Sequence, residues 1–303
     1  MTKNQKQLLF KKSSQLVNYI NVSDHIKTIP FCRYRYDFIL SCSKIKIGEV
    51  EDYVVDVDED GAVSFDDYLL CTIGDRSHTL MTDFFDSCNQ RKILIYHLVE
   101  SFSDIVDSLI LLKKANICWF DFTPKSIRLG NGLKPILSHF ENSILLDNNF
   151  SITLKEILKN VDDFTYKPIE VHLVYYLMIN NETIVSSEAV EDVKTNFSRI
   201  SRLEVGTLCY IDKYLGYSID EVIADMTPDN WDSYIFCSIY MDLLRRIDHQ
   251  MFPKNEILTD FILTLSICND IDPENRASLH ELKECCYQVK QNCKKWGFVN
   301  YFL

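Results

Sequence analysis

The chain has 303 residues, 47% hydrophobic and 25% charged, with 8 glycines and 7 prolines; this supports one large domain or two lobes and argues against collagen-like, linker-rich and glycine-cradle architectures. Its 32 basic and 44 acidic residues give a net charge of −12, so its surface repels nucleic acid and anionic lipid, and the early lysines Lys3, Lys6, Lys11 and Lys12 read as a solvated helix face. No run reaches the roughly 18–20 apolar residues that span a bilayer, the first residues lack a secretory pattern, and the 11 cysteines show no C-x-x-C spacing; the expectation is reduced thiols in a protein that is not secreted, with no membrane span and no zinc site.

Residues 4–20 predict a helix, with Leu8, Leu9, Leu16, Val17 and Ile20 on related faces. From Ile29 to about Ile73 the texture changes to short β-type runs: Tyr36–Leu40, Ile45–Ile47, Tyr53–Val57 and Tyr68–Thr72. A turn signal, Asp58-Glu59-Asp60-Gly61, sits between the last two, and Asp56, Asp58, Asp60, Gly61, Val63, Ser64 and Asp67 follow the spacing of a calcium loop. Their flanks read as strands rather than helices, so an acidic hairpin turning at Asp60-Gly61 is the favoured reading and a calcium site the alternative. After Gly74 the pattern is helical over 79–88, 92–114, 168–180, 185–198, 231–246, 254–268 and 278–293. This order predicts an α+β protein in two lobes: a helical extension over 1–27, a small β-rich lobe over 28–73 and a helical lobe over 74–303.

Residues 117–142, ICWFDFTPKSIRLGNGLKPILSHFEN, place an aspartate after a long helix, then a strand pair around Gly130-Asn131-Gly132. Here the sequence resembles the protein-kinase catalytic core. Trp119-Phe120-Asp121 stands at the His-Arg-Asp motif, Thr123, Pro124 and Ser126 in the following loop, and His139-Phe140-Glu141 at Asp-Phe-Gly. Further on, Trp231-Asp232 is similar to the start of the family's buried helix, Asp272–Ser278 to its Asp-Pro-x-x-Arg turn, and Lys167-Pro168-Ile169-Glu170 to Ala-Pro-Glu. The resemblance implies a bilobal kinase-like fold. It also implies that Asp232 ties down the loop backbone and that Glu170 pairs with Arg276. The long span from Glu170 to Asp232 implies inserted helices over 171–228, and it resembles the divergent kinase-like proteins of large eukaryotic DNA viruses.

What the resemblance implies about catalysis follows residue by residue. Asp121 keeps the aspartate that orients the acceptor hydroxyl. Thr123 replaces the lysine at the γ-phosphate, Ser126 the asparagine that holds one magnesium, and His139 the aspartate that bridges both metals. Glu141 replaces the glycine of the last motif, and Trp119 a polar histidine. One lost electrostatic group costs roughly 10²–10³-fold in rate, so three together leave little activity. Lys44 and Lys46 are candidates for the nucleotide lysine, though an alternating exposed strand explains them as well. The first expectation is a catalytically inactive kinase-like protein serving as a structural or interaction module with protein partners, in a host-cell cytoplasm or as a virion component beside capsid proteins, without a cofactor. An active Ser/Thr kinase using ATP and magnesium, with Asp121 as base, is the alternative; a calcium-responsive binding protein is the third.

Overall fold

The computed structural model describes residues 5–11, 13–44, 68–74, 79–88, 91–246 and 256–295. Lys46, the strand runs at 45–47 and 53–57, and the proposed calcium ligands Asp56, Asp58, Asp60, Ser64 and Asp67 lie outside them.

Where the pattern over 4–20 predicts one helix, the chain forms strand β1 (Gln5–Lys11) and then helix α1 (Ser14–Lys27). Ser13 separates them: its backbone is extended, and its hydroxyl accepts the Leu16 N–H and caps the helix. β1 pairs along its whole length with β3 (Tyr68–Gly74), and β2 (Ser41–Lys44) pairs with the other edge of β3, all antiparallel. Residues 5–11 therefore belong to this sheet rather than to a helical extension. A complete ladder outweighs the helical spacing of Leu8 and Leu9, since strand pairing depends on partners far along the chain. Leu16 of α1, Ile39 and Cys71 form a small buried cluster against the sheet. Tyr36–Leu40, predicted as a strand, forms no ladder and makes a single bridge, from Tyr36 to Leu137.

The segment predicted as a helix over 79–88 opens with a two-residue strand, β4 (Thr79–Leu80), before α2 (Met81–Ser87). The long helix α3 (Arg91–Lys114) leads into β5 (Ile117–Cys118). Then β6 (Ile127–Leu129) and β7 (Pro135–Leu137) form an antiparallel pair, β4 adds to the free edge of β6, and β8 (Ile144–Leu145) returns to pair with β5. Gly132, with φ 69°, supplies a left-handed residue in the β6–β7 turn.

The remainder is helical: α4 (Phe150–Leu158), α5 (Ile169–Ile179), α6 (Ser187–Ser201), α7 (Ile219–Asp225), α8 (Trp231–Arg246), α9 (Glu256–Cys268) and α10 (Leu279–Lys295). α5 buries residues around its whole circumference, from Ile169 to Val174 and at Leu177, as a central core helix must. α6 is one-sided, burying Ala189, Val190, Val193 and Phe197. Phe102 of α3 stacks on Phe236 of α8 at 4.6 Å and meets Phe261 of α9 edge-on at 5.0 Å, which joins three helices in one core. The architecture is mixed α+β, mostly helical, with three small sheets among the described residues. None of the described helices is long and apolar enough to cross a membrane.

Candidate functional site

Two loops meet because their flanking strands pair. Residues 119–126 link β5 to β6, residues 138–143 link β7 to β8, and the β5–β8 and β6–β7 ladders hold them side by side. Each loop contains a left-handed non-glycine residue, Phe120 (φ 51°) and His139 (φ 64°), a backbone conformation that persists only where surroundings enforce it.

Asp232, in the first turn of α8, is one such constraint. Its carboxylate accepts the backbone N–H groups of Trp119 and Phe120, each at 2.9 Å, and the Cys118 thiol at 3.4 Å. Burial pushes this carboxyl up, and the three donors together with the Lys167 charge offset that only in part. Trp119 is fully buried, stacks on Phe122 at 4.0 Å and donates its indole N–H to the carbonyls of Ser138 and His139. The two loops are thereby fastened to each other.

Asp121 follows Phe120 and is held from both sides. Lys167 places its ammonium 2.8 Å from Oδ1 and donates to the Phe120 carbonyl at 3.0 Å, while Asn142 donates to Oδ2 at 2.7 Å. Lys167 is 1% exposed, and its ammonium stands 5.0 Å from the centre of the Phe120 ring. Asn142 in turn accepts from Gln15 of α1, and Asn18 donates to the carbonyls of Glu141 and Ser143. Helix α1 is thus pinned to the loop that secures Asp121.

The remaining candidates serve local structure. Ser126 is buried, and its hydroxyl accepts the Thr123 N–H while Thr123 accepts from Lys125, so the pair caps a single 3-10 turn. His139 is half-exposed and lies 3.2 Å from Glu141. Burial opposes the charge on Glu141, but His139, the backbone and Arg128 outweigh it and hold the carboxyl below its usual range. Lys44 is exposed at the end of β2, in a different sheet. Beneath the loops, Glu170 opens α5 and meets Arg276 in a two-pronged ion pair of 2.8 and 3.1 Å, 0–1% exposed. Arg276 also donates to the carbonyls of Asp270 and Ile271 and lies 4.5 Å over the Tyr234 ring, and Glu170 accepts the Trp231 indole N–H.

A groove lined in part by Asn142, which holds Asp121, runs between α1 and α4, with a volume of about 320 Å³. Amides (Gln15, Asn18, Asn142), the carboxylates of Glu141 and Glu156, and apolar Ile152 line it, a surface that repels polyphosphate. The ATP and magnesium implied by the resemblance do not fit these residues. At the two metal positions stand a buried hydroxyl engaged in a cap and an imidazole engaged with Glu141, neither an anionic oxygen for a hard cation. Among the described residues, no three His, Cys, Asp or Glu side chains group as a metal site.

Sequence reasoning missed Lys167 and Asn142. Both fall inside segments that it quoted, but read through their neighbours: Lys167 stands three residues before Glu170, and Asn142 directly after Glu141. Compared with known proteins, the chain matches no family model and no curated protein.

Proposed function

We propose that this chain is a kinase-like protein that transfers no phosphate and works as a structural or protein-interaction module. The observation that carries the reading is the ion pair of Asp121 with the buried Lys167. Both Asp121 oxygens are already engaged, one by that ammonium and one by the Asn142 amide, and a substrate hydroxyl must compete with both of these charge-assisted bonds to use Asp121 as a base. The Asp232 and Glu170–Arg276 contacts support the kinase-like part of the reading, because those residues are the ones whose resemblance implies loop-anchoring and ion-pair roles.

The interaction role draws support from the segment 171–228. Seven of the fourteen exposed large apolar side chains among the described residues lie there: Ile179, Ile184, Ile200, Leu203, Val205, Leu215 and Tyr217. Ile184 and Tyr217 lie on segments that hydrogen-bond to each other. A partner protein, rather than an acidic polymer, suits such a face on a chain of net charge −12. The place in a virion rests on the sequence pattern between Glu170 and Asp232.

Glu141 favours the alternative of an active enzyme, since it puts one carboxylate beside His139. A phosphotransfer assay with ATP, magnesium and a generic Ser/Thr substrate separates the two. The expected result is no transfer that distinguishes wild type from Asp121→Asn. Transfer that Asp121→Asn abolishes would overturn the proposal.

A further inference from the structure

Two cysteines face each other across the first sheet. Cys42 of β2 is the register partner of Cys71 of β3, and their sulfurs lie 3.1 Å apart, near enough for a thiol hydrogen bond in either direction. That separation is about 1 Å longer than an S–S bond of about 2.0 Å. Among the described residues β2 lies at the edge of the sheet, and Cys42 is partly exposed; Cys71, on the central strand, is 0% exposed beneath Leu16 and Ile39.

The pair therefore divides into a sulfur that a small oxidant can reach and one that it cannot. Burial, reinforced by the Cys42 thiol, pushes Cys71 up to about 12. Three other described thiols differ. Cys237 and Cys268 also hydrogen-bond to each other, yet both are buried; Cys209 is exposed, but its thiol donates to the Gly206 carbonyl. Intracellular disulfides are mostly transient and redox-responsive, so a compartment that keeps thiols reduced is compatible with such a pair.

We infer that Cys42 and Cys71 form a reversible redox site whose oxidant is a peroxide. In the first step the Cys42 thiolate attacks one oxygen of hydrogen peroxide. The O–O bond breaks, Cys42 becomes a sulfenic acid, and the departing hydroxide takes up a proton to leave as water. In the second step the Cys71 sulfur attacks the Cys42 sulfur. The S–O bond breaks, and the hydroxide leaves with the Cys71 proton as a second water. Two thiols are oxidised to one disulfide and one peroxide is reduced to two waters; a thiol reductant reverses the change. The bond ties β2 to β3. This site stands independently of the function proposed above.

The test treats the full-length, fully reduced protein with hydrogen peroxide and maps its peptides under non-reducing conditions. The expected product is a cross-linked peptide joining Cys42 to Cys71, two hydrogens lighter than the separate peptides and released by dithiothreitol, with two thiols lost per chain. In Cys71→Ser, Cys42 is expected to accumulate as a sulfenic acid that dimedone labels. Should that variant not fold, Cys42→Ser changes the partly exposed position instead, and Cys71 is then expected to remain a thiol. A Cys42 that stays reduced, or goes on to sulfinic acid without cross-linking, while Cys209 is oxidised would overturn the proposal. So would oxidation of Cys71 in Cys42→Ser.

Discussion

Glu170 and Arg276 lie 0–1% exposed, with both carboxylate oxygens and all three guanidinium nitrogens hydrogen-bonded, to each other and to Trp231, Asp270 and Ile271. Asp121 carries the same kind of charge in the loop above, but it is 17% exposed and its partners, Lys167 and Asn142, come from segments adjoining that loop. The lower pair joins α5 to the turn before α10, and Asp232 extends that framework to the loop backbone. The upper pair joins that loop to the segment leading into α5, its members 46 positions apart in the chain. The two regions show how a framework of buried, fully paired anchors can hold a loop whose partly exposed carboxylate is itself engaged by a lysine and an amide.

Substitutions separate the two regions by size of effect. Glu170→Ala or Arg276→Ala leaves an uncompensated buried charge and is expected to lower stability by about 3–5 kcal/mol in denaturant unfolding. A loss below about 1 kcal/mol would mean that this pair is no anchor.

Acid should act through His172, which is 9% exposed on α5, with Nε2 unpartnered and flanked by Phe164 and Phe197. Burial pulls this imidazole down to about 4, against a reference near 6.5. The unfolded chain then binds the extra proton first, so stability is complete above about pH 6.5 and falls as pH drops toward 4. About 3 kcal/mol is lost across that window. His172→Phe should remove this part of the pH slope when unfolding curves of the two proteins are compared; equal slopes would contradict the assignment.

Asp232→Asn retains one acceptor for two buried N–H groups and should cost about 2 kcal/mol. The smallest effect belongs to the upper pair. A double-mutant cycle of Asp121→Asn and Lys167→Met should give a coupling of about 1 kcal/mol, because Asp121 keeps some contact with solvent.

How much of this was legible in the sequence differs between regions in the same way. The long helices α3, α5 and α8 announce themselves by length and apolar spacing, within a residue or two of their observed ends. β1 does not, because Leu8, Leu9 and Phe10 suit either period and β3, its partner, is remote in the chain. α4 and α7 are short and went unpredicted, although Ser218 and Glu221 of α7 form a capping box that a sequence does display. Asp121, Asp232, Glu170 and Arg276 were nameable from the order of their motifs. Lys167 and Asn142 were not, since their meeting with Asp121 depends on loops that turn through Phe120 and His139, and a left-handed turn at a non-glycine residue leaves no mark in the sequence.

The account stands or falls on whether the Asp121 loop accepts a nucleotide. A titration of the full-length protein with ATP, with and without magnesium, followed by melting temperature, tests this directly. A ligand at 100 times its Kd stabilises by about 2.7 kcal/mol, a shift that is easily read. The expected result is an unchanged melting temperature up to millimolar ATP. A magnesium-dependent rise would show that the loop binds the nucleotide despite Ser126, His139 and the Lys167–Asp121 pair, and would contradict the account.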